Sequence, residues 1–79
     1  MNEVMLRGEI ANHPRRLGGR ILFRLDTKET ESQRIPCVKK DLNFNYKLNK
    51  EDEVIIEGRL KVDQASRLFV DIISIDIRD

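Results

Sequence analysis

The chain has 79 residues, of which 39% are hydrophobic and 37% charged, and its formal net charge is +1. A chain of this length forms one domain, residues 1–79, and buries only about 60% of the surface of its unfolded form, so association could reinforce its core. No apolar run reaches the roughly 18 residues of a membrane span, no signal layout opens the chain, and the single cysteine excludes an internal disulfide. These features predict a cytoplasmic protein.

The first half of the chain predicts two alternating β-strands. Val4, Leu6, Gly8 and Ile10 share one face of the first strand, which ends before Pro14. Gly18-Gly19 then predicts a hairpin that leads into "RILFRLDT". The inward positions of this second strand are Ile21, Phe23 and Leu25, while Arg20 and Arg24 point outward.

Three further strands complete the pattern. They span about residues 34–40, 53–62 and 67–78, and residues 41–52 leave room for at most one short helix. Gly58 indicates a bulge or bend in the fourth strand. A second irregularity is expected at Ile72-Ile73, after which alternation would put Ile73, Ile75 and Ile77 on one face. Five bent strands favour an all-β closed barrel, which has no exposed strand edges.

The residues that could support catalysis are few. The only histidine, His13, precedes a proline in a turn, and Cys37 alternates with apolar residues as a buried small residue does. The acidic run Glu51-Asp52-Glu53 is more typical of a solvated turn than of a metal site. No phosphate-cradling loop or metal-spaced Cys/His set occurs. The sequence therefore predicts a protein without catalytic residues, metal or cofactor.

Four stretches, in the same order along the chain, resemble bacterial single-stranded-DNA-binding proteins. "MNEVMLRGEIANHP" is similar to their opening, "FRLDT" to their second strand and "IPCV" to their third. "EDEVIIEGRLKV" is similar to their fourth, and its Val-x-x-Glu-Gly-Arg-Leu element is the sharpest match. The resemblance implies an OB-fold, a five-stranded Greek-key barrel that binds single strands and is usually dimeric or tetrameric.

The chain also departs from that family. The family stacks bases on aromatics three residues before and after the third-strand cysteine, where this chain has Arg34 and Lys40. This chain has no tryptophan, and its loops are short. The acidic tail through which the family recruits repair proteins does not follow its last strand. These departures resemble the smaller primosomal replication protein n relatives, which are dimeric accessories of replication restart and bind mainly through basic residues.

The charge distribution is compatible with such a surface. Residues 1–40 hold nine Lys/Arg against five Asp/Glu, whereas residues 41–79 hold six against nine. Phe23 and Phe69 are expected in the core, which leaves Phe44 and Tyr46 either to stack on bases or to cover the barrel end. The predicted nucleic-acid-binding residues lie on strands two and three and on the adjoining loops: Arg15, Arg16, Arg20, Arg24, Arg34, Lys39, Lys40, Phe44, Tyr46, Lys61 and Arg67.

The predicted function is sequence-independent binding of single-stranded DNA, by charge with little stacking, as an accessory of replication, restart or repair. The family pairs subunits through first strands, so the resemblance implies a homodimer whose interface includes Val4, Leu6, Arg7 and Glu9. Replication or restart proteins are possible further partners. Two alternatives remain open from the sequence: an RNA-binding barrel, and a protein-interaction module whose acidic second half binds a basic partner.

Overall fold

The computed structural model describes residues 3–27, 34–40 and 47–78, and this part of the chain consists of strands and turns without a helix. The short helix for which residues 41–52 leave room does not form over residues 47–52, which are turn and irregular chain, and residues 41–46 lie outside the described residues. Six strands are formed: β1 (Glu3–Ile10), β2 (Arg15–Leu17), β3 (Arg20–Thr27), β4 (Arg34–Lys40), β5 (Glu53–Val62) and β6 (Leu68–Arg78).

The strands form a closed barrel with OB-fold topology. Their order is β1-β5-β6-β4-β3-β2, and an additional β1–β3 pairing closes the five long strands on themselves. The β4–β6 pair is parallel and all other pairs are antiparallel. The predicted all-β, five-stranded barrel is therefore confirmed. Arg15 and Arg16, expected in a loop, instead lie on the short strand β2, which extends the Gly18-Gly19 hairpin.

Two glycines allow the barrel to close. Strand β1 pairs with β5 over residues 3–9 and with β3 over residues 8–10, so both neighbours meet it at Gly8. A Cβ atom at Gly8 would lie 2.3 Å from the backbone oxygen of Asp26, and one at Gly58 would lie 2.6 Å from that of Asp71. Only glycine fits at such close backbone approaches.

The irregularity predicted in the last two strands is confirmed. The β5–β6 register shifts between Glu57 and Gly58, because Glu57 pairs with Ser74 and Gly58 with Ile72. Ile73 is thus the extra residue of a bulge, and it is 47% exposed. The expectation that Ile73 shares a face with Ile75 and Ile77 is wrong, since the bulge turns only the latter two toward the core.

Alternating positions of the strands fill the barrel. The buried apolar residues are Ile10, Ile21, Phe23, Leu25, Cys37, Val54, Ile56, Val70 and Ile72. Phe69 is only half-buried and does not belong to this core, so its predicted core position is wrong. Val70 and Ile72 occupy the inward positions of β6, and the residue before Val70 must therefore point to the outside.

Candidate nucleic-acid interface

Strands β3 and β4 present a row of cross-strand pairs on the outside of the barrel. The pairs that face outward, as the exposure pattern of the two strands shows, are Arg20–Lys40, Leu22–Val38, Arg24–Pro36 and Asp26–Arg34. Directly opposite residues of an antiparallel pair have Cβ atoms about 4.5–5.5 Å apart. Apart from Asp26, the side chains of this continuous surface are positive or apolar.

The Arg20–Lys40 pair is electrostatically unfavourable by itself. Both residues are exposed and directly opposite each other, and like charges at such positions destabilise a sheet. Within the described part of the chain neither side chain forms an ion pair. An anion bound beside two cations held together in this way would lower their mutual repulsion.

The same surface continues onto the last two strands. Asp71 lies beside Val38 on the parallel strand β6, and Phe69 lies two residues earlier on the same side. On β5, Lys61 is opposite Phe69 and Arg59 is opposite Asp71. We call the whole surface the cationic face. It comprises Arg15, Arg20, Leu22, Arg24, Asp26, Arg34, Pro36, Val38, Lys40, Arg59, Lys61, Phe69 and Asp71.

One carboxylate of the cationic face is paired with one of its lysines. The Nζ atom of Lys61 lies 2.8 Å from Oδ2 of Asp71, and the two side chains are 45% and 20% exposed. The hydrogen bond from Lys61 lowers the pKa of Asp71, burial opposes this effect, and the charges of Lys61, Lys40 and Lys39 add to the lowering. Asp71 is therefore ionised at neutral pH and surrounded by positive charge.

Three predicted binding residues lie away from the outer face of β3 and β4. Lys39 was expected to join the outer face only if a bulge intervened, and the β3–β4 register has none. Lys39 therefore occupies an inward position on β4, and its Nζ donates to the backbone oxygen of Ile73 at 3.2 Å. Arg16 is opposite Ile21, on the other side of β2 from Arg15. Arg67 is exposed in the β5–β6 turn, where its backbone N–H donates to Oδ1 of Asp63.

The structure brings the other described candidates together. Arg20, Arg24, Arg34 and Lys40 share the outer face of β3 and β4, Arg15 joins them opposite Leu22, and Lys61 joins them from β5. Phe44 and Tyr46 lie outside the described residues. The sequence reasoning missed Arg59 and Phe69. For Phe69 the signal was its shared parity with Asp71, a residue type that prefers the outside of a small barrel.

Negative charge is concentrated on the part of the barrel wall that borders the cationic face, which we call the acidic wall. Outward positions on β1, on the first half of β5 and on the last half of β6 are occupied by Glu3, Glu9, Glu53, Glu57 and Asp76. Arg7 is neutralised there by Glu53, with Nη2 and Oε1 3.1 Å apart. A polyanion is thus attracted to one side of the barrel and repelled from the other.

The predicted dimer residues all lie on β1, but in different settings. Val4 and Leu6 pack partly against the core, Arg7 and Glu9 are exposed on the outer face, and Met5 between them is 71% exposed. Among the described residues, positions 3–7 pair only with β5. The other edge of this segment therefore has unpaired backbone groups to offer to a further strand.

The described residues contain little that could support chemistry. They include no group of three or more His, Cys, Asp and Glu side chains that could hold a metal ion. Burial raises the pKa of the Cys37 thiol to about 12, which keeps it protonated and unreactive. No helix in this part of the chain is long and apolar enough to cross a membrane.

Comparisons with known proteins relate the chain to others through its fold. No family model and no curated protein matches its sequence. Among solved structures, the second single-stranded-DNA-binding protein of Mycobacterium smegmatis superposes with a TM-score of 0.73 at 19% identity, covering 96% of this chain and 87% of that one. The Stn1–Ten1 complex of S. pombe superposes with a TM-score of 0.80 at 12% identity, covering 99% and 59%.

A third solved structure comes from a different class of protein. Asparaginyl-tRNA synthetase from Pyrococcus horikoshii superposes with a TM-score of 0.76 at 20% identity over 95% of this chain. This chain spans only 19% of the synthetase and 59% of the Stn1–Ten1 chain. At these identities the superpositions establish the shared barrel, and the function has to be argued from the cationic face.

Proposed function

We propose that this protein binds single-stranded DNA without sequence specificity, across β3 and β4. The observation that carries the proposal is the Arg20–Lys40 pair, in which two exposed cations lie directly opposite each other. Beside it, Leu22 and Val38 form an apolar pair on the same face. Single-strand binders combine such positive charge for the phosphates with apolar or aromatic surface for the bases.

The fold is consistent with this proposal. OB-fold barrels bind oligonucleotides on this face and between the adjoining loops, and one superposing protein is itself a single-stranded-DNA-binding protein. The acidic wall that borders the cationic face would keep the strand on one side. Charge supplies most of the affinity in this proposal, because the described residues of the face include a single aromatic ring, Phe69.

The test is fluorescence anisotropy with a labelled oligo-dT, a duplex of equal length and an RNA competitor, at two salt concentrations. Wild type should prefer the single strand and bind more weakly in high salt. Lys40→Gln should weaken binding and reduce the slope of log K against log salt by about 0.7 if one phosphate contact is lost. Arg78→Gln is the matched control, since Arg78 lies opposite Glu53 on the acidic wall. Equal affinities for wild type and Lys40→Gln at low salt would refute the proposed surface.

We further propose that two copies pair through the open edge of β1, residues 3–7, in a cytoplasmic accessory of DNA replication, restart or repair that performs no catalysis. Pairing of these edges would continue the sheet across the dimer and cover Met5. Light scattering after size exclusion should give the mass of a dimer for wild type and of a monomer for Met5→Glu. A monomeric wild type at micromolar concentration contradicts the dimer but leaves the DNA-binding face intact.

A further inference from the structure

A carboxylate lies in the middle of the cationic face. Asp71 is flanked by Val38 on β4 and by Arg59 on β5, and its carboxylate accepts the hydrogen bond from Lys61. The residues around it are otherwise positive or apolar. A surface that served only to attract negative charge would gain affinity from a neutral residue at this position.

A carboxylate interacts in opposite ways with the two parts of a nucleotide. It repels a phosphate, which carries only acceptor oxygens and negative charge. It accepts hydrogen bonds from the N–H groups on base edges, and every base has at least one such group. An ionised Asp71 therefore favours a strand that turns its bases toward Val38 and Phe69 and its phosphates toward the outlying cations.

We infer that Asp71 makes the cationic face selective for ligands that present bases over ligands that present only phosphates. The inference rests on the proposed function and deepens it. Single strands can turn whole bases toward the protein, whereas a duplex keeps its bases stacked and paired, and inorganic polyphosphate has none. Asp71 weakens the binding of these competing polyanions more than it weakens the binding of the single strand.

The position of Lys61 supports the inference. This lysine is held by Asp71 at 2.8 Å, so part of its charge is already neutralised before any ligand arrives. To form an ion pair with Lys61, a polyanion without bases would have to displace the Asp71 carboxylate from the lysine. The phosphate would then lie beside that carboxylate and be repelled by it. A stacked base over Phe69, which lies opposite Lys61, needs neither change.

The experiment displaces labelled oligo-dT with unlabelled oligo-dT or with inorganic polyphosphate of similar charge, at low salt. Asp71→Asn should tighten polyphosphate binding by up to about fivefold, the upper end of the range for one exposed charge pair. Its affinity for oligo-dT should change by less than about twofold, because loss of repulsion and loss of an acceptor offset each other. Asp76→Asn makes the same charge change on the acidic wall and should alter neither affinity.

Asp71→Asn also breaks the ion pair with Lys61, which would free the lysine to bind a phosphate. A second comparison separates this effect from the repulsion of phosphates by Asp71 itself. In a Lys61→Ala background, the further change Asp71→Asn should still favour polyphosphate over oligo-dT. The inference is overturned if Asp71→Asn changes both affinities by the same factor, changes neither, or favours the oligonucleotide. A wild type that binds no oligo-dT overturns the proposed function itself, and that outcome is visible before any variant is made.

Discussion

Lys61 and Phe69 lie directly opposite each other on β5 and β6, on the outside of the barrel. An aromatic ring at such a position contributes little to the core, whose inward sites on β6 are held by Val70 and Ile72. A flat apolar surface beside a cation is the arrangement on which a base can stack while its phosphate is neutralised. The role of Phe69 can therefore be separated experimentally from folding.

Phe69→Ala should weaken oligo-dT binding by about 1–3 kcal/mol, the usual contribution of one stacked base. The loss of stability should be smaller than at a core site, because Phe69 is half-buried and lies outside the core. Phe69→Tyr retains the ring and should retain the affinity. The contrast is Phe23→Ala, at a site 3% exposed, which should cost about 3–5 kcal/mol of stability. A folded Phe69→Ala with wild-type affinity would remove Phe69 from the binding surface.

The Arg20–Lys40 pair should lower the stability of the folded protein and strengthen its binding of oligo-dT. Arg20→Gln removes the repulsion between directly opposite cations, so the free energy of unfolding should rise by about 0.2–1 kcal/mol. Oligo-dT binding should weaken at the same time. Urea denaturation and anisotropy on the same preparation measure both effects.

Arg34→Gln is the matched comparison, since Arg34 lies opposite Asp26 rather than another cation. This substitution breaks an attractive pair, and the free energy of unfolding should fall slightly instead of rising. If Arg20→Gln destabilises the protein as much as Arg34→Gln does, Arg20 and Lys40 do not repel each other in the folded chain.

Strict alternation explains why much of the fold could be predicted. In β3 polar residues occupy the outward positions except at Leu22, and this pattern placed Ile21, Phe23 and Leu25 inward, where the structure has them. Gly58 and the adjacent pair Ile72-Ile73 likewise indicated the bulge, because a glycine within a strand and a break in parity are its local signatures. The resemblance to single-strand-binding proteins then supplied the strand order, which no local pattern contains.

Two of the missed features arise where neighbouring residues of one strand could each take the same inward position. Phe69 and Val70 are both apolar, and only the packing against Cys37, which pairs with Val70, decides between them. Lys39 and Lys40 are both cationic, and an uninterrupted register assigns Lys40 to the outer face. The Lys61–Asp71 ion pair spans two strands, so it depends on a register that the sequence does not contain.

The crossing at Gly8 predicts which glycine the barrel cannot lose. Gly8→Ala would place a methyl group 2.3 Å from the Asp26 oxygen, so the β1–β3 contact must open and stability should fall by about 1–3 kcal/mol. Gly18→Asn is the control, because no atom lies within 4 Å of a Cβ there and asparagine tolerates its φ of +54°. Urea denaturation should separate the two variants. Equal midpoints would mean that β1 and β3 do not approach closely in solution.

The buried thiol predicts a specific dependence of stability on alkaline pH. Burial raises the pKa of Cys37 from 9.0 to about 12, so the unfolded chain loses this proton at lower pH than the folded one. The stabilising contribution is complete below pH 9 and is lost as the pH rises toward 12, by about 1.4 kcal/mol per pH unit. Cys37→Ala lacks the thiol and therefore this pH dependence. The difference between the free energies of unfolding of wild type and variant should shrink as the pH is raised from 8 to 11. A constant difference over that range would show that the thiol ionises as readily in the barrel as in the unfolded chain.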